Sequence, residues 1–308
     1  MSIIDKLAKK VQDSSGETER RELVEEMKDT HDRHVRNIQS KVELLNKSIA
    51  LYNRVIHNIN DVRNRKISKR LSSLHQFLNQ FGQLKPRETY QAEHEKQSFH
   101  LPQQAFVEAE QYIGDIDWSK DFVFKQSFKK GFFGTKKENR KSNLTIIGKI
   151  GEYKITADAQ LDYLRIENET VQLQEEVANI YVSTITGIDG VIEAKIMPEL
   201  ELAHAFLEAE EVKNHLISNR NIPQVLEKTD VSLLQNTRYH HHYQFVKNTF
   251  LFYVLSEKVY STPILTNLMN QSATKEDYFL LKGQAQELAI QGDKLTNIEE
   301  NDNRGSNL

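Results

Sequence analysis

From Val35 onward the apolar positions Val35, Ile38, Val42, Leu45, Ile49, Tyr52, Ile56 and Ile59 recur at alternating steps of three and four. That spacing lays one stripe along one face of an α-helix and predicts a coiled-coil-like seam, not a strand. Beyond Ile59 the next seam position is Arg63, and the stripe resumes at Ile67, Leu71, Leu74, Leu78 and Phe81. The consecutive steps of four between Ile59 and Leu71 form a stutter, which locally unwinds a supercoil. The 65 residues from Glu17 to Phe81 contain neither glycine nor proline, so one long helix is permitted. A break near Asn58–Asn64 would give a helical hairpin instead. The stripe is either a core face for other helices of the chain or the seam of a dimer.

A second helical pattern runs through Leu164, Val171, Leu173, Val177, Ile180, Thr184, Ile188 and Val191, with Gly187 and Gly190 as a potential break. Pro198 marks a boundary or a kink, because proline suits a first turn and disrupts a helix interior. Leu202, Phe206, Ala209, Val212 and Leu216 follow it at helical spacing. The most apolar stretch, Leu226–Tyr260, reads as a helix buried on several faces and ended by Pro263. A last helix is expected over roughly Thr274–Gln291.

Residues 117–158 break the pattern. Phe122, Val123 and Phe124, then Leu144, Thr145, Ile146, Ile147, Tyr153 and Ile155, are aromatic, β-branched or apolar. Gly131, Gly134, Gly148 and Gly151 punctuate them. Those features predict a small β-hairpin or three-stranded insertion. The expected fold class is mainly α, an elongated bundle of long helices with a small β-rich insertion. Its segments are a basic helix or hairpin (1–85), a linker and short helix near Gln103–Ile113 (86–116), the insertion (117–158), the remaining bundle helices (159–292) and a disordered tail (293–308).

Charge sharpens this layout. Residues 33–70 hold ten Lys/Arg against Glu43 and Asp61, a balance of +8, whereas residues 162–211 hold twelve acids against Arg165 and Lys195, a balance of −10. The whole chain carries only −3. Pairing of the two blocks within the chain is expected, setting register more than stability. Residues 125–141 add a third block, +6, with Phe128, Phe132 and Phe133 interleaved. Lysines beside exposed rings suit an anionic membrane surface or stacking on single-stranded nucleic acid. With the rings turned inward they are only a solvated loop. The interaction surface expected here comprises Lys129, Lys130, Phe132, Phe133, Lys136, Lys137, Arg140 and Lys141.

Catalytic and metal-binding patterns are sparse. The chain has no cysteine, which removes disulfides, cysteine-ligated zinc, iron–sulfur clusters and thiol nucleophiles. No GxSxG, HExxH, Walker or Rossmann fingerprint occurs. Glu201-x-x-His204 matches half of a di-iron bundle motif, but no second copy accompanies it. Glu201, His204, Glu208, Glu211 and His215 share a helix face that reads as solvated polar surface. His31 and His34, one turn apart, make half a metal site. His240, His241 and His242 on a helix would point ~100° apart and could not all meet one ion.

These features point to a non-enzymatic scaffold or interaction subunit without cofactor. Its expected partner is another protein, or a second copy, met through helical surfaces. A peripheral membrane or pore-forming-like role is one alternative. A nucleic-acid accessory role, with Arg63–Arg70 and Lys125–Lys141 as one stripe, is the other. The longest apolar run is six residues, Phe250–Leu255, far short of the ~20 a spanning helix needs. A cytoplasmic location is expected.

Overall fold

A computed structural model describes residues 16–82, 99–113, 132–218 and 229–305. The chain is mainly helical and divides into two compact units. The first comprises Met1–Ala50 and Ala105–Val171, the second Leu51–Gln104 and Gln172–Leu308. In chain order the elements are α1 (Glu17–Asp61), a π-helical segment (Val62–Ile67) and α2 (Ser68–Leu78). Then come α3 (Phe132–Val191), a second π-helical segment (Ile192–Ile196) and α4 (Met197–Ile217). The chain ends with α5 (His240–Tyr260), α6 (Ile264–Met269) and α7 (Lys275–Gly305).

The helical backbone runs without interruption from Glu17 to Leu78. Asp61 and Ser68, which flank the π segment, both have right-handed helical angles, so no hairpin forms near Asn58–Asn64. The stutter from Ile59 to Leu71 coincides with the π segment. A wider turn with i→i+5 bonding takes up the extra residue and keeps Ile59, Arg63, Ile67 and Leu71 on the inner face. The same device recurs downstream. Ile188, Ile192, Ile196 and Leu200, at steps of four, are all buried around the second π segment. Pro198 stands at the start of α4, where the widened turn accommodates its ring and missing N–H. Gly187 and Gly190 do not interrupt α3.

The β-rich insertion predicted for residues 117–158 is not found. Residues 132–158 belong to α3, and residues 114–131, including Phe122–Phe124, lie outside the described residues. The reason is periodicity. Asn143, Ile146, Ile150, Tyr153, Ala157 and Leu164 turn inward or partly inward at helical spacing. Ile146 and Ile150 pack on Met27, Leu23 and Val24 of α1. Packing therefore overrides the β-branched composition. Gly148 and Gly151 do not mark turns: a Cβ at either would meet nothing within 4 Å, so they are tolerated on the open side of a helix.

In the first unit α1 and α3 run parallel. Asn143 donates to Glu19 Oε2 at 3.0 Å, Lys154 to Glu26 at 3.0 Å, and Ser48 Oγ to Asn168 Oδ1 at 2.8 Å. His34 Nε2 lies 3.0 Å from Gln160 Oε1. Partner numbers rise together along both helices, as parallel packing requires. Asn46 also holds the extended backbone of Val107 through two hydrogen bonds, of 2.9 and 3.0 Å.

The second unit repeats that grip. Asn53 brackets Gln104, Asn60 brackets Leu101, and Asn64 Nδ2 donates to Phe99 O, all at 2.8–2.9 Å. Seven helical residues rise roughly 10 Å, which matches about three extended ones. Asparagines seven apart therefore meet every third residue of the segment. The helix expected near Gln103 is accordingly extended up to Glu108, with a single 3₁₀ turn at Ala109–Gln111.

Two-residue strands Phe81–Gly82 and Thr229–Asp230 pair in parallel and are the only strands among the described residues. The helix expected from Leu226 starts at His240, preceded by a 3₁₀ turn at Val231–Leu234. α5 packs chiefly against α7, contributing Phe245 and Phe252 to a core shared with Leu281, Leu288 and Leu295. A reciprocal capping box opens α7: Thr274 N donates to Asp277 Oδ2 at 2.8 Å and Asp277 N to Thr274 Oγ1 at 3.3 Å. α7 then continues to Gly305, past the expected end at Gln291, so most of the segment expected as a disordered tail is helical.

Candidate functional site

Of the eight residues expected as an interaction surface, Lys129 and Lys130 lie outside the described residues. Phe132, Phe133, Lys136, Lys137, Arg140 and Lys141 fall in the first turns of α3, and Arg140 and Lys141 are exposed. From Phe132 to Lys141 the expected loop is instead a basic helix start, and residues 125–131 lie outside the described residues. Along the same helix Leu144, Ile147, Gly151, Ile155, Ala159, Tyr163 and Ile166 form one exposed row at steps of three and four. Leu144 is 64% exposed and Ile155 is 72% exposed. Tyr163 lies beside Tyr112, ring centroids 6.1 Å apart. Scattered surface apolar residues are ordinary, but a contiguous row is characteristic of a binding face. Composition alone pointed to strands here, so the outward row was missed although its period was present in the sequence.

The predicted pairing of acidic and basic blocks takes place at Arg70, in the second unit. Its guanidinium meets Asp189 at 3.0 Å and Glu193 at 2.8 Å. The hydrogen bond to Asp189, with a smaller contribution from Glu193, raises the Arg70 pKa above its ordinary value. Other pairs are local, such as Lys47–Glu43, Arg65–Asp61 and Lys213–Glu210. Arg63 is only 7% exposed. Its guanidinium lies over the Tyr260 ring at 4.2 Å and the Phe99 ring at 5.1 Å and donates to Asn64 Oδ1 at 3.3 Å. Tyr181 donates to Tyr260 O at 3.3 Å. Arg63 and Arg70 are thus structural, which weakens the nucleic-acid stripe built on them.

The histidines sort differently from their spacing. His34 and His31 pack around Tyr153, at centroid distances of 5.6 and 5.9 Å. His204 lies 6.0 Å from both Phe77 and Phe81 and 3.6 Å from Glu208, so the Glu201-x-x-His204 motif gathers no ligand set. At the start of α5, His240 turns away: its Nδ1 is 2.6 Å from Gln235 O and its Nε2 3.3 Å from Gln244. His241 and His242 converge instead, with ring centroids 3.8 Å apart. Glu199, in the first turn of α4, brings its Oε1 to 2.5 Å from His242 Nδ1. The ligand atoms of Glu199, His241 and His242 all lie within 4.8 Å of one another, the one such set of three among the described residues. Glu199 was not singled out from the sequence, because its partners come from another element 42 residues downstream.

Fold and surfaces together define a mainly helical bundle protein. No helix among the described residues is long and apolar enough to cross a membrane. No family model, curated protein or solved structure matches the chain.

Proposed function

We propose that this chain is a non-enzymatic interaction subunit whose partner docks on the outward face of α3. The observation that carries the reading is the exposed row from Leu144 to Ile166, with Arg140 and Lys141 at its N-terminal end. An apolar row headed by two cations suits a protein helix whose apolar stripe carries carboxylates at one end. The carboxylates would set orientation and the apolar row would supply affinity.

The test is affinity capture with the full chain and with an Ile147→Glu/Ile155→Glu double variant, alongside native mass. Both side chains point outward, so the variant should fold with unchanged circular dichroism. A partner retained by the wild type and lost from the variant supports the reading. A dimer lost in the variant would make the partner a second copy of the chain. Co-sedimentation with anionic vesicles, lost in the variant, would instead assign the face to a lipid surface. Indifference of all three measurements to the substitutions would reject the face.

A further inference from the structure

We propose that Glu199, His241 and His242 form a binding site for a divalent transition-metal ion of the zinc class, joining the first turns of α4 and α5 within the second unit. Imidazole nitrogen and carboxylate oxygen are the donor types such ions take, at roughly 2.0–2.2 Å each. Two ligands sharing a tetrahedral ion then stand roughly 3.3–3.6 Å apart. The three donor atoms already lie within 4.8 Å of one another, so small side-chain rotations bring them to that spacing.

Two further observations favour an ion over a plain ion pair. His242 is nearly fully buried, and its Nδ1, though 2.5 Å from Glu199 Oε1, is out of line for a hydrogen bond. A second imidazole, His241, lies close by, its ring tilted 42° to that of His242 with centroids 3.8 Å apart. A carboxylate beside two close imidazoles offers three donor atoms of the types such an ion takes within one small volume.

The surroundings hold the ligands in place. Phe206, two turns beyond Glu199 on α4, stacks on Tyr239 at 4.3 Å and lies 4.9 Å from His242. These rings pack against His242 and fix its orientation, while Glu199 and His241 stay partly exposed. The hydrogen bonds that fix His240 on Gln235 and Gln244 keep the third histidine out of the set. Three protein ligands leave a fourth position for water.

The test uses the full chain after chelator treatment, titrated at neutral pH with zinc by calorimetry and with cobalt by visible absorbance. The expected result is one saturable equivalent, with cobalt bands of a tetrahedral site. Glu199→Gln and His242→Ala should each weaken binding at least about tenfold, while His240→Ala leaves it unchanged. Zinc should raise the melting temperature of the wild type and not that of Glu199→Gln. Glu199→Gln keeps shape and packing, so it carries the test if His242→Ala fails to fold. Absence of saturable binding would overturn the proposal. So would equal affinity in wild type and Glu199→Gln, since the ion would then sit on other histidines.

Discussion

Arg63 sits in the π segment that follows α1, at a stripe position where another aliphatic residue would be expected. It is held by the faces of Tyr260 and Phe99 and by a hydrogen bond to Asn64 Oδ1. A planar, weakly hydrated guanidinium can occupy such a box, whereas the compact, strongly hydrated ammonium of lysine cannot stack there. Arg63→Lys should therefore cost about 1–3 kcal/mol in urea unfolding, and Arg63→Met less, because methionine fills the space without a charge to desolvate. The reverse order would refute this account of the site. The interruption at position 63 was visible in the sequence; its ring partners were not, since Phe99 and Tyr260 come from distant segments. Glu199 and His242 were equally hidden. The Glu-x-x-His pattern drew attention to Glu201 and His204, whereas the contact with His242 depends on how α4 meets α5.

At the scale of elements, the stutter was legible and the π segment is its physical form. The asparagine ladder was also written in the sequence, as Asn46, Asn53 and Asn60 seven apart. It went unread because nothing in the pattern says what a helix-borne amide holds. Asn60→Ala removes both partners of the Leu101 backbone. It should cost about 1–2 kcal/mol and speed hydrogen exchange of the Leu101 amide roughly tenfold, on the scale where 1.4 kcal/mol is a factor of ten. Unchanged exchange would show the ladder to be idle. Residues 144–155 were misread because β-branched residues and two glycines looked like strand and turn. In the helix found, alanine at Gly148 or Gly151 meets nothing within 4 Å. Each substitution should stabilise the protein by about 0.5–1 kcal/mol, measured by denaturant midpoint. Destabilisation by both would argue for the turn geometry that composition suggested.

At the scale of the whole molecule, the net charge of −3 hides blocks that pair mostly within their own helices and join at Arg70. The buried tyrosines should limit the stability of the second unit at alkaline pH. Burial pushes Tyr52 from 10.0 up to about 12 and raises Tyr181 and Tyr253 as well. The folded pKa exceeds the unfolded one, so the stabilisation is complete below the unfolded value. It is lost as pH climbs toward the folded value. Melting temperature should fall across pH 10 to 12 for Tyr52, with phenolate absorbance rising together with unfolding. A melting temperature flat over that window would contradict the burial of these hydroxyls.

The central claim, that the outward row of α3 is a partner-binding face, is tested most directly by affinity capture comparing the wild type with Ile147→Glu/Ile155→Glu, at matched melting temperature. The account predicts a defined partner, or a second copy of the chain, retained by the wild type and absent from the double variant. The same set of bound proteins and the same native mass in both would contradict it.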